Sequence, residues 1–193
     1  MTARTHDLAA ITGLFAVIFF MPVLPSISLG TAIACLLANQ LGGIAPDIDQ
    51  PTAPLWRNLP VAGLFGKIIS KMLGGHRFLT HSLLGVALLG WLVKLLLAFI
   101  HPFFPQLNSG YIFWAFIIGV LSHLVMDSFT KEGVPWLLPF PYKFGFPPIK
   151  KLRVVTGKKL ESFVIFPTIV VFDLVFCALY YQDLINLLHN HIV

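Results

Sequence analysis

Three short stretches of the sequence carry side chains that could bind a metal ion or move a proton. Two histidines and an arginine lie in GGHRFLTHS, two aspartates in PDID, and a histidine with an aspartate in SHLVMD. Imidazole nitrogens and carboxylate oxygens are common protein ligands of divalent ions such as Zn²⁺, Mn²⁺ and Mg²⁺. Their chemistry depends on whether the fold brings these separated stretches to one place.

His123 and Asp127 form the strongest pair. They are four residues apart, so a helix places them about 40° apart on one face. There they could share one metal ion or one proton, and ionisable groups within an apolar span are functional by default. The alternative is a His–Asp hydrogen bond that ties helices together.

Asp47 and Asp49 are two residues apart and follow Pro46. Because proline disfavours a helical conformation at the preceding residue, we expect the helix to end at Ala45 and to expose both acids in a turn. Two neighbouring carboxylates repel each other unless a cation lies between them, which favours a bound metal ion. Alone, the pair is also typical of a solvated turn.

His76 and His81 are five residues apart, which on a regular helix separates them by about 140°. The two preceding glycines predict an irregular segment instead, in which Thr80 or its neighbour caps the next helix and His81 enters its first turn. Non-helical backbone at membrane depth is tolerated where it lines a cavity, so this stretch predicts one wall of a pocket. The alternative is an ordinary interfacial loop, with Arg77 extended towards lipid headgroups.

The elements that must position these residues are membrane helices. The chain of 193 residues is 57% hydrophobic and 11% charged, whereas a soluble domain is about 45–50% apolar and about 25% charged. A span needs roughly 20 apolar residues to cross about 30 Å of hydrocarbon. Five segments meet this requirement: Leu8–Leu24, Ile27–Ile44, Ser82–Ile100, Tyr111–Phe129 and Phe163–Tyr181. We therefore predict a single membrane-embedded all-α domain over residues 1–193.

Lysine and arginine set the predicted orientation. Apart from Lys94, every basic residue lies before the first span, between the second and third, or between the fourth and fifth. Cytoplasmic loops are enriched in basic residues, so we expect the N-terminus in the cytoplasm and the C-terminus outside. The stretch LFGKIISKML predicts an additional helix in the interface. The net charge of +5 predicts contact with anionic lipid headgroups rather than nucleic acid, because no nucleic-acid-binding motif accompanies it.

On this topology the candidate ligands gather at the cytoplasmic ends of the spans. His6 precedes the first span and Glu161 the fifth. Both are weaker candidates on their own, but they lie at the same membrane face as the three motifs. The predicted metal ligands are His6, Asp47, Asp49, His76, His81, His123 and Asp127.

At PDID, HRFLTHS and SHLVMDSFTKEGVP the sequence resembles the YdjM-like family of bacterial inner-membrane proteins. These proteins are described as LexA-regulated and, by inference, as membrane-bound metal-dependent hydrolases. The likeness covers most of the chain, from the histidine before the first span to KKLES before the fifth, although Phe78 stands where the family commonly has glycine. The resemblance implies roles for the matching positions Asp47, Asp49, His76, Arg77, Thr80, His81, Ser82, His123, Asp127, Thr130 and Gly133.

The expected function is that of a membrane-bound metal-dependent hydrolase of the bacterial inner membrane, with its site facing the cytoplasm. One or two zinc ions, or Mn or Mg ions, would activate water to attack an ester, phosphoester or amide of an amphiphilic substrate such as a lipid. Arg77 would stabilise the developing anion. The other candidate catalytic residues are Asp49, Thr80, Ser82, Thr130 and Glu161.

A metal-ion or proton transporter that uses the same cluster is the alternative, since intramembrane His and Asp also build ion pathways. Carriers usually bind their ion near the membrane midplane, between repeated halves. Here the ligands crowd one end of the spans, and five spans do not divide into two halves. The hydrolase is therefore the preferred hypothesis.

Overall fold

The computed structural model describes residues 1–21, 27–51, 56, 62–72, 77–140 and 142–186. Within these ranges the regular structure is helical, with two isolated β-bridges and no strand. The helices are α1 (Ala3–Phe20), α2 (Leu29–Ile44), α3 (Ala62–Met72), α4 (Leu83–Ile100), α5 (Ser109–Ser128), α6 (Phe166–Leu179) and α7 (Tyr181–Asn186). A 3-10 turn at Ala45–Asp49 continues α2, and a π-helical turn at Glu161–Ile165 leads directly into α6.

Five helical segments in the described ranges are long and apolar enough to cross a membrane. They are Ala3–Phe20, Leu29–Asp49, Leu83–Ile100, Ser109–Ser128 and Glu161–Leu179. They overlap the five predicted spans and confirm the predicted all-helical membrane class. The first and fifth begin earlier than predicted, so His6 and Glu161 lie inside helical segments rather than before them. The additional helix predicted between the second and third spans is α3.

α5 lies at the centre of the helical bundle and packs against α1, α2 and α4. Its buried face includes Phe116 and Val120. Two glycines bring α2 and α5 into backbone contact, because a Cβ at Gly42 would collide with the Phe116 carbonyl and a Cβ at Gly119 with the Asn39 carbonyl. Small residues at such positions let membrane helices approach closely. This contact aligns the two helix ends that carry candidate ligands.

Gly119→Ala is expected to weaken the contact between α2 and α5. The added Cβ would collide with the backbone carbonyl of Asn39, which cannot rotate away as a side chain would, and overpacking of this kind costs about 1–3 kcal/mol. We expect a lower unfolding temperature for the protein in detergent. Gly90→Ala is the matched control, because there the nearest atom is the side-chain Cδ1 of Ile117 at 3.1 Å. Equal decreases in unfolding temperature for Gly119→Ala and Gly90→Ala would contradict a close backbone contact between α2 and α5.

The PDID segment departs from its predicted conformation. The chain does not form an exposed turn at Pro46. Pro46 lies in the first turn of the 3-10 segment, where its missing N–H is tolerated. Asp49 is buried and Asp47 is partly buried. The expectation of two exposed acids is therefore wrong.

Ser82 is the N-cap of α4, where the sequence predicts Thr80 or its neighbour. The Ser82 hydroxyl accepts a hydrogen bond from the Gly85 N–H at 3.0 Å, which is the contact that defines a helix cap. His81 therefore lies just before the helix and not in its first turn. This position lets its side chain point into the end of the bundle without following the helical periodicity.

The segment 129–160 folds back over the end of the bundle that carries the candidate ligands. The Phe146 N–H donates to the Ser128 carbonyl at 2.8 Å, and the Leu83 N–H donates to the Trp136 carbonyl at 3.0 Å. These bonds connect the segment to the end of α5 and the beginning of α4. The candidate ligands at this end of the bundle are therefore enclosed by this segment as well as by the helices.

Candidate metal centre

Four parts of the chain deliver ionisable side chains to one end of the bundle. The residues are His6 in α1, Asp47 and Asp49 in the turn after α2, His81 before α4, and His123 and Asp127 in α5. Apart from Asp47, each is at most 1% exposed. The described structure thus brings together six of the predicted ligands, while His76 lies outside the described residues.

One group of potential ligands consists of His6, His123 and Asp127, whose donor atoms lie within 4.8 Å of one another. His6 Nε2 is 3.3 Å from Asp127 Oδ1, and His123 Nε2 is 3.8 Å from Asp127 Oδ2. The two imidazole rings are stacked, with 3.6 Å between their centroids and 8° between their planes. The stacking holds both ring edges against the same carboxylate.

A second group consists of Asp47, His81 and His123. Asp47 Oδ1 is 3.8 Å from His81 Nε2 and 3.7 Å from His123 Nε2. His81 Nε2 is also 3.6 Å from Asp127 Oδ2, so the two groups adjoin and share His123. Atoms that each lie about 2 Å from one zinc ion are roughly 3–4 Å from each other. The nitrogen–oxygen separations of 3.3–3.8 Å within the two groups match that spacing.

A backbone carbonyl determines which nitrogen of His123 can bind a metal. His123 Nδ1 is 2.6 Å from the Gly43 carbonyl oxygen. Since a carbonyl only accepts, we assign the proton to Nδ1, which leaves the lone pair on Nε2. Metal-binding histidines are often oriented in this way by a carbonyl. A single lone pair means that His123 can serve one ion at a time.

Asp49 lies behind His81 rather than beside the other ligands. Its Oδ2 accepts hydrogen bonds from Thr80 Oγ1 at 2.5 Å and from the Arg77 N–H at 3.0 Å, and it is 3.5 Å from His81 Nδ1. A carboxylate at the second ring nitrogen orients a metal-binding histidine. Burial alone would lower the pKa of His81, but the carboxylates of Asp127 and Asp49 hold it above its ordinary value. The same negative field would attract a metal cation.

Two cationic groups contact Asp127. Arg77 Nη2 is 2.7 Å from Oδ2, and the amino group of Met1 contacts Oδ1. Arg77 Nη1 also donates to Thr130 Oγ1 at 2.7 Å, and that hydroxyl donates to the Asp127 carbonyl at 2.7 Å. These bonds hold the guanidinium in one place beside the cluster. Arg77 therefore acts first as the counter-ion of Asp127.

The backbone of Arg77 is in the left-handed region, with φ +58°. This conformation costs a residue with a Cβ roughly 1–2 kcal/mol. It persists where surrounding contacts hold it, and such residues cluster at functional sites. Here the backbone N–H is held by Asp49 and the guanidinium by Asp127.

Glu132 is a contact of the cluster that sequence reasoning missed. Its Oε2 is 3.4 Å from Arg77 Nη1, although the side chain is 64% exposed. The sequence carries no signal for this contact, because a single acid in a basic loop is typical of a solvated side chain. Arg77 thus connects the buried cluster to the surface.

Several buried nitrogen atoms of the cluster have no hydrogen-bond partner among the described residues. They are Nδ1 and Nε2 of His6 and Nε2 of His123. Leaving such an atom unsatisfied costs about 1–3 kcal/mol, so these atoms are usually paired. A donor set of imidazoles and carboxylates suits zinc and, through its carboxylates, also Mn or Mg. The residues present fit a divalent metal ion.

Three other predicted site residues have structural contacts. Glu161 Oε1 accepts hydrogen bonds from the Thr2 N–H at 2.6 Å and from Thr5 Oγ1 at 2.8 Å, and its Oε2 accepts from the Gly157 N–H at 2.7 Å. Ser82 caps α4. Gly133 takes a left-handed conformation with φ +68° in the turn that follows Thr130. Glu161 therefore ties α1 to the fifth span.

Glu161→Gln is expected to lower the unfolding temperature and to leave metal content unchanged. The amide has only one acceptor oxygen, so one group of donors around it becomes unsatisfied at a cost of about 1–3 kcal/mol. Thermal unfolding and elemental analysis of the same preparation check this result. Thr5→Val, which removes one donor, should produce a smaller loss of stability. Loss of metal at unchanged stability would instead place Glu161 in the metal site.

The fold and the site together define a class of protein: a multi-pass helical membrane protein with a buried His/Asp cluster at one end of its bundle. The family model described as YdjM inner membrane protein matches residues 1–187. The chain therefore belongs to the YdjM family of inner membrane proteins, as the sequence motifs predict.

Two of its relatives are named inner membrane proteins, and together with the five candidate spans this supports a multi-pass location in the inner membrane. The chain is 27% identical over 168 residues to the uncharacterized protein YvsG of Bacillus subtilis, covering 86% of this chain and 88% of that protein. It is 30% identical over 131 residues to the inner membrane protein YdjM of Escherichia coli, and equally to that of Shigella flexneri. Those two matches cover 63% of this chain and 56% of each relative. No solved structure matches the chain.

Proposed function

We propose that this protein is a membrane-bound metal-dependent hydrolase with its site at the cytoplasmic membrane interface. The observation that carries the proposal is the buried meeting of His6, His81, His123 and Asp127, in which nitrogens of His6 and His123 have no hydrogen-bond partner among the described residues. Structural polar contacts normally satisfy their own donors and acceptors. A cluster that leaves nitrogen atoms unsatisfied is instead typical of a metal site.

The side chains around the cluster have distinct roles in this proposal. His123 would hold the ion, either with His6 and Asp127 or with Asp47 and His81. A bound divalent ion supplies Lewis-acid activation of water for cleavage of an ester, phosphoester or amide.

The residues behind these ligands keep them in place. Asp49 orients His81, and Thr80 holds Asp49 through its hydroxyl. Thr130 holds the guanidinium of Arg77 beside Asp127. Arg77 is thus positioned to stabilise an anion that develops next to the cluster.

The basic segment 129–160 supports a cytoplasmic orientation, because cytoplasmic loops are enriched in lysine and arginine. Its exposed side chains include Phe140, Tyr142, Phe144 and Phe146, which suit the headgroup region of a bilayer. An amphiphilic substrate with an anionic headgroup, such as a lipid, fits this surface best. Ion transport is less well supported, since the cluster lies at one end of the spans rather than at the midplane.

The experiment is to purify the protein in detergent, measure bound metal by elemental analysis, and assay hydrolysis of fluorogenic ester and phosphoester lipids. We expect stoichiometric metal, with activity lost on chelation and restored by Zn²⁺ or Mn²⁺. Protein without stoichiometric metal would overturn the proposal. Metal flux into proteoliposomes without hydrolysis would favour the transporter.

A further inference from the structure

The charge of the segment between α5 and the fifth span is strongly uneven. Its basic residues within 129–160 are Lys131, Lys143, Lys150, Lys151, Arg153, Lys158 and Lys159. The only acidic residue of the same stretch is Glu132. The carboxylate of Glu132 contacts Arg77, with 3.4 Å between Glu132 Oε2 and Arg77 Nη1.

We propose that Glu132 occupies the position of a phosphate group of the substrate, which displaces it from Arg77. This inference names the substrate class of the proposed hydrolase and rests on that proposed function. The phosphate comes from a lipid headgroup or from a free phosphate compound, and both present the same oxygens to the guanidinium.

The side chains of Arg77 and Glu132 differ in how firmly their contacts hold them. The Arg77 side chain is 5% exposed and is anchored by Asp127 and Thr130, whereas the Glu132 side chain is 64% exposed. Ion pairs with an exposed partner contribute little, so Glu132 can turn into water at small cost while Arg77 stays in place. Arg77 Nε has no hydrogen-bond partner among the described residues, which leaves the guanidinium with donor capacity for a new anion.

The surrounding charge favours an anion at this position. The six lysines named above are exposed, and a basic surface raises the local concentration of anions. Guanidinium groups bind phosphate through charge-assisted hydrogen bonds that are stronger than neutral ones. A phosphate is therefore drawn towards this surface and can compete with one weakly held carboxylate.

The test measures binding of inorganic phosphate to the detergent-purified protein by calorimetry, with the metal content of every sample determined in parallel. Glu132→Gln is expected to bind phosphate about tenfold more tightly than the parent, because the competing charge is gone. Glu132→Ala repeats the test with a second neutral side chain. Equal or weaker binding in both variants would overturn the inference.

Glu132→Asp separates direct competition from a general effect of net charge. Aspartate keeps the charge but is one methylene shorter, so its carboxylate loses contact with Arg77 and phosphate binding should still become tighter. A gain in Glu132→Gln with none in Glu132→Asp would show a general charge effect and overturn the inference. Lys131→Gln, the matched basic control, should bind phosphate slightly more weakly than the parent.

A second arm distinguishes the two sources of phosphate. Glu132→Gln is placed in nanodiscs of phosphatidylcholine with or without phosphatidylglycerol, and phosphate binding is measured again. Competition by phosphatidylglycerol upholds the inference with a lipid headgroup as the source, and unchanged binding upholds it with a free phosphate compound. Absence of metal in all samples would overturn the hydrolase but not the anion site, so the two failures remain distinguishable.

Discussion

Asp127→Asn is expected to abolish stoichiometric metal binding and to lower the free energy of unfolding by about 3–5 kcal/mol. Asp127 contacts His6, His81 and Arg77 and is 1% exposed. Removing one partner of a buried ion pair leaves the other charge uncompensated, and this accounts for the expected loss of stability. Elemental analysis and thermal unfolding in detergent measure the two effects separately.

Asp173→Asn is the matched control for this variant. Asp173 also lies in a membrane-spanning helix, where its Oδ2 accepts a hydrogen bond from Thr12 at 3.0 Å. It is outside both groups of potential ligands, so metal content should equal that of the parent. Equal metal loss in the two aspartate variants, or normal metal content in Asp127→Asn, would contradict a site centred on Asp127.

His123→Ala is the second change with a large expected effect. His123 belongs to both groups of potential ligands, so its loss disables either arrangement. We expect metal affinity to fall by more than about 100-fold, the upper end of what loss of an outer partner alone costs. Titration with Zn²⁺ in the presence of a competing chelator measures the affinity.

His101→Ala provides the control, because His101 follows α4 at the far end of the bundle and should leave affinity unchanged. Because His123 has a single lone pair, it can bind an ion in only one of the two groups at a time, and variants of the other ligands identify which group it is. A strong loss in His6→Ala with little change in Asp47→Asn places the ion in the first group, and the reverse places it in the second. Full affinity in His123→Ala would remove both groups as candidates.

Much of the fold could be predicted from the sequence because its signals are long and additive. Each span is predicted from nearly twenty predominantly apolar residues. The prediction of five membrane helices therefore does not depend on any single polar residue. Successive spans cross the membrane in opposite directions. The motifs at the end of the second span, the beginning of the third and the end of the fourth therefore lie at the same membrane face. Helix beginnings are harder, and the early start of α1 and of the fifth span places His6 and Glu161 inside helical segments.

The details of the site depend on contacts that no short motif encodes. Burial of Asp49 requires the 3-10 turn after α2, and the sequence does not reveal that Pro46 lies in the first turn of that segment, where proline is tolerated. The Gly43 carbonyl that orients His123 is contributed by backbone, and backbone atoms leave no trace in residue types. Glu132 reaches Arg77 only because the loop after α5 folds back over the bundle.

The left-handed backbone of Arg77 has a consequence for engineering. Glycine adopts this conformation more readily than a residue with a Cβ, so a redesign guided by backbone conformation alone would place glycine at position 77. That exchange would relax the chain and at the same time leave Asp127 without its guanidinium. Loss of this buried ion pair costs about 3–5 kcal/mol, which exceeds the roughly 1–2 kcal/mol gained from the relaxed backbone, so a thermostabilised version of the protein should keep its arginine.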